Sequence, residues 1–103
     1  MNLNLQFCPQ IWKSSRFSIE EKLILNLIYI FEIKKGFAYA SDYWISDTFG
    51  MRLNQVSTLV AELSSVGYIN IWYEEETRCM SLNLDRMESE LAPYNDDFGN
   101  YEY

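Results

Sequence analysis

The chain has 103 residues, about half of them apolar and 17% aromatic, with a formal net charge of −7. That length suits one domain with one modest core, and the apolar share argues for a folded chain. With no histidine and only two cysteines, Cys8 and Cys79, it has no standard zinc site and no imidazole base to activate a serine or cysteine nucleophile.

Four glycines make no phosphate-binding loop, and the many carboxylates read as surface charge. No catalytic constellation, cofactor site or metal site stands out, so the chain is not expected to be an enzyme. No apolar run reaches the ~18 residues of a membrane span. The greasiest stretch, Ile24 to Ile33, is interrupted by Asn26 and Glu32. The N-terminus lacks the basic, apolar, small-residue order of a signal peptide. A cytoplasmic location with reduced thiols and no membrane partner is the expectation. A Cys8–Cys79 disulfide stays open if the N-terminal arm lies on the sheet.

Residues 1–17 form an arm. Leu3, Leu5 and Phe7 alternate with polar residues as in a short strand, Pro9 breaks it, and Trp12 and Phe17 anchor it. Ser18 and Glu21 then form an S-x-x-E capping box. The first long helix runs from about Ile19 to Lys34. Leu23, Leu27 and Ile30 define one side of it, and Ile24, Leu25, Ile28 and Phe31 widen the apolar sector, which predicts a central helix covered on most sides. Lys34 and Lys35 complement its dipole and Gly36 ends it.

Phe37 to Ala40 alternates as a small strand. Ser41 or Asp42 caps a second helix that reaches about Phe49, with Trp44, Ile45 and Phe49 inward. Gly50 supplies the turn. A third helix starts near Leu53 or Asn54 and ends near Val66, with Val56, Leu59, Val60 and Leu63 buried and Gly67 as its stop. Tyr68 to Tyr73 reads as a strand with Ile69, Ile71 and Tyr73 on one face. Glu74 to Thr77 is a turn, and Arg78 to Leu84 is the return strand. Residues 86–103 form an acidic, aromatic tail, in which Met87 to Leu91 extends one helical turn; the rest reads as a disordered solubilising tail, or, through Asp96, Asp97 and Phe98 with nearby tyrosines, as a docking peptide.

Phe37-Ala38-Tyr39-Ala40-Ser41, Phe49-Gly50-Met51, Gln55-Val56-Ser57 and Leu63-x-x-x-Gly67-Tyr68-Ile69 carry a resemblance. On them the chain resembles the winged helix-turn-helix family, in particular the N-terminal domains of phage and plasmid replication proteins and replisome organisers. The likeness covers residues 18–84. It implies an α+β, mainly α fold of three helices plus a β-hairpin wing over residues 18–85, between the arm (1–17) and the acidic tail (86–103). It also implies a small DNA-binding factor in replication or transcription regulation, located in the host cytoplasm if phage-encoded. The third helix would read duplex DNA with Arg52, Asn54, Gln55, Ser57, Thr58 and Ala61, probing base edges from the major groove.

Charge runs against that role. Residues 1–36 carry net +2, residues 37–85 net −5 and residues 86–103 net −4. DNA binders typically neutralise about 6–10 phosphates. The helix-turn-helix and wing hold only Arg52 and Arg78, and the wing tip presents Glu74, Glu75 and Glu76. Binding as a dimer or beside a more basic partner would supply the missing cations. The alternative is an inhibitor in which Glu74, Glu75, Glu76 and Arg78 face a nucleic-acid-binding protein, and the acidic surface imitates phosphate in its basic groove. Small phage inhibitors, including anti-CRISPR proteins, work in this general way. A third reading is a structural adaptor. Surplus aromatics, among them Trp12, Trp44 and Trp72, leave room for a homodimer.

Overall fold

A computed structural model describes residues 8–90. The fold is mainly helical, with one antiparallel hairpin. Its elements are α1 (Pro9–Trp12), α2 (Ile19–Lys35), α3 (Asp42–Phe49), α4 (Leu53–Ser65), β1 (Ile69–Glu74), β2 (Thr77–Leu82) and α5 (Leu84–Met87), followed by a 3-10 turn at Glu88–Glu90. Leu3, Leu5 and Phe7 of the arm, and Asp96, Asp97 and Phe98 of the tail, lie outside the described residues.

α2 is the centre. Its capping box forms as the sequence implies: Ser18 Oγ accepts from Glu21 N–H at 3.1 Å, and Glu21 Oε1 accepts from Ser18 N–H at 2.7 Å. Over about two turns α2 buries Ile24, Leu25, Leu27, Ile28 and Ile30, whereas Leu23 is only half-buried. Each fully buried aliphatic chain contributes roughly 1.5–3 kcal/mol relative to exposure. Asn26, read from sequence as an interruption, is buried too, and its Oδ1 accepts from Cys8 N–H at 2.7 Å. A satisfied amide thus ties the N-terminal segment to the central helix. Gly36 ends α2 at φ 88°, where a side chain would be strained.

Ile11, Ile45, Val56, Val60, Leu63, Ile69, Met80, Leu82 and Met87 join α2 in the core, with Cys8, Phe17, Ala38 and Ala40. α3 packs on α4, and α4 leads through Gly67 into β1. β1 pairs with β2 in the register Ile69↔Leu82 to Glu74↔Thr77. Met80 also exchanges backbone hydrogen bonds with Ala38, at 2.8 and 2.7 Å. Phe37 to Ala40 therefore contributes one bridge on the outer side of β2 instead of a strand.

Several expectations are corrected. Pro9 starts α1, because a proline fits the first helical position, where no N–H is needed. The return strand stops at Leu82. Leu84 begins α5, with Asn83 Oδ1 accepting from Arg86 N–H at 3.2 Å. Tyr73 shares a face with Ile69 and Ile71 as expected, but it is 66% exposed. Leu59 is half-buried where the helical period predicted full burial. The thiols, by contrast, agree with the expectation of reduced cysteines: Cys8 and Cys79 are both buried and unpaired.

Candidate functional site

The helix pair α3–α4 is held by a short, stiff turn. Ser41 caps α3, its Oγ accepting from Trp44 N–H at 3.1 Å. At the other end Gly50 adopts φ 67° and its N–H donates to Ser46 O. Ser46 O also accepts from Met51 N–H at 3.0 Å, while Ser46 Oγ donates to Met51 O at 2.6 Å. α4 then opens at Arg52 with no side-chain cap and no acidic residue in its first turn. Its leading N–H groups have no protein side chain to accept from them, so the positive end of the helix dipole is open to an anion.

Arg52, Asn54, Gln55 and Thr58 are exposed and make no side-chain hydrogen bond or ion pair with described residues. Together with Leu59 they line one shallow hollow on the outer face of α4. Ser57, counted with them from sequence, is exposed but engaged: its Oγ donates to Asp42 Oδ2 at 2.9 Å. Ala61 lies further along the helix, beside a second hollow with Glu21, Glu62 and Val66.

Arg78 is also engaged. Its Nη1 donates to Asp42 Oδ1 at 2.6 Å and its Nη2 to Ala40 O at 2.7 Å. The two side chains are 15% and 26% exposed. Asp42 therefore cross-links α3 to α4 through Ser57 and to β2 through Arg78. This role has no sequence signature, because its partners sit 15 and 36 residues away. Arg78 is a strut inside the fold, not a cation presented beside Glu74, Glu75 and Glu76.

Those three glutamates form the hairpin tip, and all are exposed. Glu75 and Glu76 take φ 50° and 69°, the left-handed backbone that a two-residue hairpin loop demands. Glu74 Oε2 accepts from Trp72 Nε1 at 2.9 Å. None of the three forms an ion pair with a described residue.

The cations are largely occupied. Arg16 lies 3.6 Å from Glu90, Lys22 Nζ donates to Trp12 O at 2.9 Å, and Arg86 Nε donates to Val66 O at 3.0 Å. Lys34, Lys35 and Arg52 are the exposed basic side chains with no partner among the described residues.

Two groups have shifted protonation. Burial pushes the Cys8 thiol up, against smaller opposing hydrogen bonds from the backbone of Ile11 and Gln10. Burial also raises the Glu32 carboxyl, partly opposed by the Leu82 N–H that donates to it. Among the described residues no group of three or more His, Cys, Asp or Glu could hold a metal ion. No described helix is long and apolar enough to cross a membrane.

Comparison with known protein families, with curated proteins and with solved structures finds no match for this chain.

Proposed function

We propose that this chain is a winged helix-turn-helix protein that binds duplex DNA through the outer face of α4, as a dimer or beside a more basic partner. In this reading β1 and β2 are the wing. The observation that carries it is the set of Arg52, Asn54, Gln55 and Thr58, exposed, unengaged and lining one hollow at an uncapped helix start. Asn and Gln side chains match the adenine edge, and Arg52 matches guanine or phosphate. The open N–H groups add a phosphate contact. Ser57 belongs to the scaffold of that face and not to its reading edge.

The test is a fluorescence-anisotropy titration on a pool of random-sequence duplexes at low salt. The native protein binds. The triple variant Arg52→Ala, Asn54→Ala, Gln55→Ala loses at least about tenfold, since each good base contact is worth ~1–3 kcal/mol. No binding by the native protein at low salt would sink the reading.

One observation favours a second reading, phosphate mimicry toward a protein with a basic groove. With Arg78 neutralised by Asp42, the hairpin tip carries three unpaired carboxylates and no free cation. Replacing Glu74, Glu75 and Glu76 by Lys separates the two. Duplex affinity rises if the tip merely repels phosphate. Binding to the basic partner, or inhibition of it, disappears if the tip is the mimic.

A further inference from the structure

Ala38 faces the core opposite Met80, so its neighbours Phe37 and Tyr39 lie on the outer side of the hairpin. Cross-strand partners share a face, which puts Trp72 with Cys79, and Glu74 with Thr77, on that same outer side. The Phe37 ring sits 6.0 Å from Tyr39 and 6.1 Å from Trp72, centroid to centroid. The rings make an aromatic floor that leaves Cys79 only 1% exposed. Phe37, Tyr39, Glu74, Glu75, Thr77 and Cys79 line one open hollow on this floor. The Glu74 carboxylate is steadied there by the Trp72 indole.

We propose that this hollow is a docking site for an arginine side chain carried by a basic segment of a partner protein. Charge complementarity selects the occupant. Apolar ligands would strip water from Glu74 and Glu75 without returning a partner. Nucleic acid would bring phosphate against the same carboxylates. A second copy would bring another net −7, and of its four arginines Arg16, Arg78 and Arg86 are already engaged, which leaves Arg52 alone, at the open start of α4. A guanidinium meets both halves of the site: its plane stacks on an aromatic ring, and its edge donates two parallel hydrogen bonds to a carboxylate. Lysine offers a point charge without the planar match. This surface uses none of the α4 residues and goes beyond the DNA reading.

The test uses a fluorescein-labelled peptide of alternating glycine and arginine, and a twin in which citrulline replaces arginine. Anisotropy gives affinity at low salt, and the Trp72 indole N–H resonance, assigned by Trp72→Phe, reports the place of binding. The arginine peptide binds saturably and moves the Trp72 indole signal; the citrulline twin binds at least about tenfold more weakly. Glu74→Gln keeps an acceptor for Trp72 Nε1, so the fold is retained, and it weakens binding about tenfold. Glu62→Gln removes the same charge from α4 and leaves affinity within about twofold. The proposal is overturned by an absence of saturable binding, by an unmoved Trp72 indole, or by equal losses in Glu62→Gln and Glu74→Gln, which would mean attraction by net charge alone. None of these outcomes depends on duplex binding, so arginine docking and DNA binding stand or fall separately.

Discussion

Asp42 occupies the first position of α3 and accepts from both Arg78 and Ser57. Hydrogen bonds to charged groups are worth roughly 1.5–3 kcal/mol, and this pair is shielded more than a surface pair. Asp42→Ala would leave the Arg78 guanidinium with only the Ala40 carbonyl. It should cost about 2 kcal/mol, a fall in melting temperature of about 10 °C for a domain of this size, readable by circular dichroism. An unchanged melting curve would show that Arg78 finds water as readily as Asp42, and would return it to the supply of available cations. Glu32 permits a prediction with a defined sign. Burial raises its carboxyl above the ordinary glutamate range, so the folded state holds that proton more tightly than the unfolded chain. Its contribution to stability is full below the ordinary glutamate value and is lost as pH rises through the raised one. Glu32→Gln retains an acceptor for the Leu82 N–H and cannot ionise. At pH 7 it should melt a few degrees above the native protein, and the gap should close in acid; a constant gap at all pH values would rule out ionisation as the cause.

The hairpin is where local sequence and local conformation disagree. A two-residue loop with both residues at positive φ favours Asn-Gly, yet here it is Glu75-Glu76. Left-handed backbone costs a non-glycine residue roughly 1–2 kcal/mol. Glu75→Asn with Glu76→Gly should therefore stabilise the protein by about 1 kcal/mol in urea denaturation with an unchanged slope. A destabilised double variant would mean that the carboxylates support the fold in a way the φ values do not reveal. Elsewhere local chemistry and structure agree, and those elements were legible in advance. The Ser18–Glu21 box, Ser41, and the glycines at 36, 50 and 67 mark helix ends by mechanisms confined to a few residues. The Val56, Val60, Leu63 stripe follows from helical period alone. What stayed hidden depends on distant partners: Asn26 holding Cys8 N–H, Asp42 joining three elements, and the aromatic floor assembled from Phe37, Tyr39 and Trp72. No spacing rule links residues so far apart. The same reason explains why Ser57 and Arg78 read as available from sequence and are engaged in the fold.

At the scale of the molecule, the question is how a chain of net −7 could hold a polyanion. Counterion release ties affinity to salt: log K falls against log salt with a slope of about −0.9 for each phosphate neutralised. If Lys34, Lys35 and Arg52 of one protomer all reached the backbone, the slope would be about −2.7. A dimer presenting both sets doubles it to about −5. A slope near zero with measurable affinity would mean that the contacts are to base edges and helix N–H groups without phosphate neutralisation. Duplex titrations between 50 and 200 mM salt, run beside sedimentation equilibrium, therefore report stoichiometry and mechanism together. The expected result is a slope near −5 that tracks a dimeric species, because three cations fall well short of the ~6–10 phosphates a typical site engages. A slope near −2.7 from a monomer would reject the dimer. No duplex binding even at the lowest salt would reject α4 as a DNA-reading helix and leave the carboxylates of Glu74, Glu75 and Glu76 as the surface that meets a partner.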